Sequence, residues 1–248
     1  MTGQAAEILS AAPSEEPAPS AQIAPLDEQT LVSFTDIWRY WGRGKNRWAV
    51  LRGIDLQIPC GTATCIGGRN GAGKTTLLRI ATGILAPNSG TVTIDGLTTG
   101  DSWREYHRRI GFLSAGDRGL YNRMSVRAHV DFWARLAFIA RSERRPAVEE
   151  ALARFGLSEL AKRRAERLSQ GQRQRLRLAL TLVHRPKVLL LDEPRTSLDG
   201  EGLEMLRCAV SDVLARGGAV IWCSPAGEEQ PIDFDRTLFI EDGRLVPA

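Results

Sequence analysis

Gly68-Arg69-Asn70-Gly71-Ala72-Gly73-Lys74-Thr75 links a short apolar run, Thr62-Ala63-Thr64-Cys65-Ile66, to a helix-forming run, Thr76-Leu77-Leu78-Arg79-Ile80-Ala81. Strand, glycine loop and helix N-terminus follow in that order, and the glycine and Gly-Lys-Thr spacing is the one that cradles phosphates. Glycine lets the backbone curl until successive N–H groups face one anion. The helix adds its unpaired N–H groups and the positive end of its dipole. Lys74 is expected to reach the β- and γ-phosphates, and the Thr75 hydroxyl to bind Mg²⁺. Gly68, Asn70, Gly71, Ala72, Gly73 and Thr76 complete the expected cradle. An ordinary glycine-rich turn requires none of the flanking features, so the stretch predicts a nucleoside triphosphate site.

The second half of such a site is written into Val188-Leu189-Leu190-Leu191-Asp192-Glu193-Pro194. A continuous apolar run marks a strand buried on both faces. Two carboxylates at its end lie where open α/β sheets hold ligands. Asp192 is expected to hold Mg²⁺, and Glu193 to orient and deprotonate the water that attacks the γ-phosphate. Leu168-Ser169-Gln170-Gly171-Gln172 precedes a helix expected over Arg173–Val183, with Ser169 as its N-cap and its first amides as a second anion site.

The 248 residues accommodate one sizeable domain, or one with an inserted subdomain, and the 43% hydrophobic content suffices for a core. No apolar run is long enough to span a bilayer and no basic-then-apolar leader opens the chain, so a soluble cytoplasmic protein is expected. The net charge of +4 hides an asymmetry: residues 1–30 carry Glu7, Glu15, Glu16, Asp27 and Glu28 and neither Lys nor Arg. Residues 1–29, rich in Ala, Pro, Ser and Glu, read as a disordered acidic tail. The basic residues elsewhere are scattered, which reads as a solvated face rather than a nucleic-acid surface. Cys60, Cys65, Cys208 and Cys223 lack metal-ligand spacing.

Alternation predicts strands at Leu31–Ile37, Ile54–Ile58, Thr91–Gly96, Ile110–Leu113, Lys187–Leu191, Ala219–Cys223 and Thr237–Glu241. A helical pattern runs from Val126 to Leu160, with Val130, Trp133, Leu136 and Ala137 expected on one face and Gly156 as C-cap. Leu203–Arg216 reads as a further helix. Strands alternating with helices predict an α/β fold with a largely parallel sheet.

From residue 30 to the end, the chain resembles the nucleotide-binding subunits of ATP-binding cassette (ABC) transporters. The resemblance rests on the phosphate loop, the Leu168–Gln172 signature, Val188–Pro194 and Ser197-Leu198-Asp199, in the family's order. It implies a P-loop NTPase fold: an ABC-type ATPase core over residues 30–248 with an antiparallel β-subdomain and an inserted helical subdomain at about 115–167. It also implies ATP and Mg²⁺ as ligands, and head-to-tail pairing with a second ATPase subunit, so that Ser169, Gly171 and Gln172 of one chain complete the site of the other, which Asp199 also touches. An aromatic residue upstream of the loop stacks on adenine in this family; Trp41 takes that place, with Tyr40 as fallback.

The chain departs from the family at two positions. Pro225 stands where the family has a switch histidine, and the lid glutamine falls near Ala115, where Ser114, Asp117 or Arg118 are candidate substitutes. Gly116–Ser125 resembles exporters with separately encoded membrane subunits. That implies transmembrane permease partners, docking through Tyr121 and Trp133, and a peripheral position at the inner face of the cell membrane. The competing readings are a soluble non-transport ABC ATPase and a binding-only regulatory subunit.

Overall fold

The computed structural model describes residues 29–116, 119–228 and 231–248. The expected acidic tail lies outside the described residues except for Gln29, whose carbonyl accepts a hydrogen bond from Cys60 N–H at 2.7 Å. Strand β1 (Thr30–Trp41) runs antiparallel to β2 (Trp48–Pro59), bringing Phe34 opposite Leu56 and Ile37 opposite Ile54. Both strands outrun the alternating segments from which they were predicted, because the exposed aromatic end of β1 finds its ladder partner in β2. Then come β3 (Ala63–Gly67), α1 (Lys74–Ala81), β4 (Ser89–Ile94), α2 (Trp103–Arg108) and β5 (Ile110–Leu113). Strand β4 joins the free edge of β1, closing a three-stranded antiparallel sheet ordered β2-β1-β4.

The rest of the chain supplies α3 (Val126–Leu136), α4 (Arg141–Arg154), α5 (Gln170–Leu182), β6 (Val188–Asp192), α6 (Gly200–Ala215), β7 (Ala219–Cys223), β8 (Arg236–Glu241) and β9 (Arg244–Pro247). A second sheet has the order β5-β6-β7-β3-β8-β9, parallel except at β9. Strand β9 is absent from the sequence reading. It turns back from β8 through Asp242-Gly243, both at positive φ (47° and 79°), the dipeptide such hairpins favour.

Alternate residues of the parallel strands feed two cores, which is why their apolar runs are unbroken. Leu189, Leu191, Val220 and Trp222 face the core shared with α3–α6. Val188, Leu190, Ile221 and Cys223 face a second core with α1 and the antiparallel sheet. Helix α2 anchors itself there through Tyr106, fully buried, whose hydroxyl donates to Ala81 O at 2.6 Å.

The buried face of α3 is Val126, His129, Val130 and Ala134, with Trp133 partly buried beside it. Leu136, expected on that face, is 54% exposed: it falls a half-turn past Ala134, where the helix ends at solvent. Val148, Leu152 and Phe155 are buried, and Gly156, the expected C-cap, takes the left-handed conformation (φ 62°) just past the end of α4.

Candidate functional site

The phosphate loop leaves β3, the central strand beside β7, and delivers its helix at the C-terminal edge of the parallel sheet. Gly73 caps α1 at φ 114°, and a Cβ there would lie 2.9 Å from Leu51 Cδ2 and 3.2 Å from the Val50 carbonyl oxygen. The turn that aims the loop's amides thus needs glycine for its dihedrals and for its contact with β2. Lys74 is 4% exposed; its ammonium donates to Gly68 O at 2.7 Å and Arg69 O at 3.2 Å, and lies 3.7 Å from Glu193 Oε1. The loop therefore holds its own cation over its concave side, partnered by carbonyls that a phosphate can replace.

Strand β6 brings both carboxylates to the same place. Asp192, its last residue, is 2% exposed and accepts from Thr75 Oγ1 at 3.0 Å. Burial pushes the Asp192 carboxyl above its ordinary range. The Thr75 hydroxyl pulls it back, the neighbouring Glu193 charge pushes it up, and the Ala115 amide again lowers it. Glu193 sits in the left-handed region (φ 48°), with its N–H donating to Cys223 O at 2.9 Å. That conformation costs a side-chain-bearing residue on the order of 1 kcal/mol and turns the Glu193 carboxylate back toward Lys74. Lys74, Thr75, Asp192 and Glu193, more than a hundred positions apart in sequence, form one cluster. The adjoining oxygens of Thr75 and Asp192 suit a hard divalent cation, which takes oxygen ligands of this kind.

The signature segment builds a second helix N-terminus. Ser169 and Gln172 form a capping box: Gln172 N–H donates to Ser169 Oγ at 3.2 Å and Ser169 N–H to Gln172 Oε1 at 3.1 Å. A Cβ on Gly171 would lie 2.3 Å from Asp199 Oδ2, so a side chain there would displace that carboxylate. Asp199 in turn caps α6, accepting from Gly202 N–H at 2.7 Å. Ser169 and Asp199 are exposed, and no hydrogen bond among the described residues joins Ser169, Gly171 or Gln172 to the phosphate loop of the same chain. Within one subunit these groups form a separate surface.

A cleft of about 670 Å³ borders the phosphate loop, lined by Trp48, Val50 and Arg52 of β2, by Gly68–Ala72 and by the β8–β9 hairpin. Trp41, the aromatic chosen from the sequence, is not among its lining residues. It lies opposite Trp48 in the β1–β2 ladder, with the Arg39 guanidinium 4.6 Å from its ring centre. Trp48, 57% exposed, was missed. The signal for it was only its place at the start of the strand that packs on Gly73.

In the segment where the lid glutamine is expected, Ser114 is engaged by Arg177 of α5, which donates to both its carbonyl and its hydroxyl. Arg177 is 7% exposed and also donates to Gln174 at 2.9 Å, so it ties the signature helix to the segment after β5. It was missed as well; an arginine among the buried positions of an apolar helix was the available signal. Asp117 and Arg118 lie outside the described residues. Ser224, 1% exposed, follows β7, donates its N–H to Ile66 O at 3.2 Å and precedes Pro225. His107, His129 and His184 are bonded elsewhere, to Thr82 O, Tyr121 N–H and Ile110 O respectively.

Comparison with known proteins identifies relatives of the chain. The sequence profile of the family described as ABC transporter matches residues 51–196, more than half of the chain. The phosphonates import ATP-binding protein PhnC of Thiobacillus denitrificans is 38% identical over 215 residues, covering 82% of each chain. The cytochrome c biogenesis ATP-binding export protein CcmA of Bradyrhizobium diazoefficiens is 41% identical over 172 residues, covering 69% of this chain and 82% of CcmA. Among solved structures, CbiO1 from Clostridium perfringens, part of the ABC transporter complex CbiONQ, superposes with a TM-score of 0.72 at 28% identity, covering 88% of both chains.

Proposed function

The chain belongs to the ABC transporter family as one of its ATP-binding subunits, and from that premise we propose that it hydrolyses ATP to drive export through separate membrane-spanning permease subunits. The observation that carries the reading is the convergence of Lys74, Thr75, Asp192 and Glu193 at one sheet edge. When ATP enters, Lys74 exchanges the Gly68 and Arg69 carbonyls for the β- and γ-phosphate oxygens, a gain in charge-assisted hydrogen bonding. The amides from Gly71 to Thr76 hold the remaining phosphate charge, with Gly68 and Asn70 shaping the turn. Thr75 and Asp192 would hold Mg²⁺, which would supply charge neutralisation and orientation for the phosphates. Glu193, released from Lys74, takes the proton of the attacking water. Adenine stacks on the aromatic end of the β1–β2 ladder, where Trp48 lines the cleft and Trp41 is its cross-strand partner.

The surface formed by Ser169, Gly171, Gln172 and Asp199 then completes the site of a second ATPase subunit, because a helix N-terminus favours a γ-phosphate presented from outside. Export rests on the resemblance of Gly116–Ser125 to exporter subunits. No described helix is long and apolar enough to cross a membrane. Glu193→Gln tests the scheme: with ATP and Mg²⁺ the variant accumulates as a closed dimer by light scattering while producing no ADP. A variant that turns over at the wild-type rate removes Glu193 from its role. Reconstitution with the co-purifying membrane protein tests direction, and cargo accumulating on the ATP side contradicts export.

A further inference from the structure

Helices α3 and α4 enclose a second depression of about 450 Å³, which shares no lining residue with the cleft at the phosphate loop. Its charged walls are Arg127, Asp131 and Arg135 of α3 and Arg141, Arg144 and Arg145 of α4. The α3 arginines are neutralised: Arg127 grips Glu149, with Nη2 at 3.0 Å from Oε2, and Arg135 Nε lies 2.7 Å from Asp131 Oδ2. Those of α4 are not. Among the described residues, Arg141, Arg144 and Arg145 have no carboxylate within ion-pair distance, and Arg145 acts on Glu149 only as a more distant charge. Arg144 donates Nη2 to Ile139 O at 3.1 Å, while its buried Nε has no hydrogen-bond partner. Three like charges against one concave wall concentrate positive potential there, and guanidinium groups favour carboxylates as bidentate partners.

The chain carries a matching segment. Residues 1–28 hold Glu7, Glu15, Glu16, Asp27 and Glu28 and no Lys or Arg. The described chain begins near the end of α6 that pairs with α4. Gln29 O is bonded to Cys60 N, and the next residue, Gly61, bonds Gly218 O just past the end of α6. Near that end of α6, Asp212 pairs with Arg154 at the end of α4, and Arg185 pairs with Glu150 of α4 at 2.6 Å. From Arg154 back to Arg145 is about 14 Å along the helix at ~1.5 Å per residue. The chain between Gln29 and Glu16 reaches about 43 Å when extended, at ~3.3 Å per residue. We propose that residues 1–28 seat in the α3–α4 groove of their own subunit, with the adjacent carboxylates of Glu15 and Glu16 on Arg141, Arg144 and Arg145. The contact covers the arginine-lined wall of the α3–α4 depression.

Glutamyl endopeptidase digestion of the full chain tests this, because the tail's own glutamates are the cleavage points. In wild type at low salt, cleavage after Glu15 is slow. In Arg141→Gln/Arg144→Gln/Arg145→Gln it accelerates about tenfold, as loss of several partly exposed ion pairs allows, and 0.5 M salt accelerates the wild type but not the variant. Equal cleavage in both chains overturns the proposal. So does protection that grows with protein concentration, since the tail would then be held by another molecule. Should the triple variant fold poorly, Glu15→Gln/Glu16→Gln leaves the groove intact; hydrogen exchange over residues 141–148 then quickens relative to wild type, and unchanged exchange refutes the contact.

Discussion

Thr75→Val isolates the bond on which the metal side of the site rests. Valine matches threonine in shape, so the substitution deletes the hydroxyl that donates to Asp192 Oδ1 at 3.0 Å and little else. Asp192 is 2% exposed, and water cannot replace that donor without opening the cluster. A hydrogen bond to a buried charge contributes about 1.5–3 kcal/mol. In a domain of this size about 2 kcal/mol corresponds to roughly 4–8 °C in Tm. The sign of the pH dependence follows from burial, which raises the Asp192 pKa, with Thr75 opposing the rise. Removing Thr75 raises it further, so the loss of stability is full at pH well above that raised value. It shrinks as the pH falls and the carboxyl becomes neutral in the folded protein. Denaturation at pH 8 and at a pH below the raised Asp192 value therefore shows a smaller difference between the two proteins at the lower pH. In an Asp192→Asn background the same change breaks only a neutral bond, worth about 0.5–1.5 kcal/mol. Equal costs in both backgrounds and at both pH values would falsify the charge-assisted role of Thr75.

Lys74→Ala should weaken binding of a fluorescent ATP analogue by about a hundredfold or more, since two charge-assisted contacts of roughly 1.5 kcal/mol each are lost; unchanged affinity would remove Lys74 from the site. Pro225→His should speed single-turnover hydrolysis with little change in ATP affinity. One missing charge-stabilising donor costs on the order of 10²–10³ in rate, and the three histidines present are bonded elsewhere. Brisk wild-type turnover by the isolated subunit would count against this. Trp48→Ala should cost about fivefold in ATP affinity, near the ~1 kcal/mol of an aromatic stack, and Trp41→Ala less; the reverse order would return the adenine platform to Trp41.

Sequence alone determined the parts of this protein whose chemistry is carried by backbone within a few consecutive residues. The phosphate loop is legible because glycine dihedrals, a lysine, a hydroxyl and a helix start must occur at adjacent positions to work. The parallel strands are legible because a strand buried on both faces has no polar positions to offer, and Val188–Leu191 and Ala219–Cys223 show none. Ser169 was legible as a cap because its partner lies three residues away. Tertiary structure decided the rest, where neighbours come from distant segments. Four register shifts along β1–β2 determine which tryptophan meets the cleft, and spacing along either strand alone carries no trace of them. Whether Leu136 is covered depends on where α3 ends against its neighbours, and Gly171 meets Asp199 only because α5 and α6 pack side by side. Arg177 finds Ser114 across 63 positions of sequence. Such contacts depend on side chains converging in space, and a pattern read along the chain encodes only the local half of that geometry.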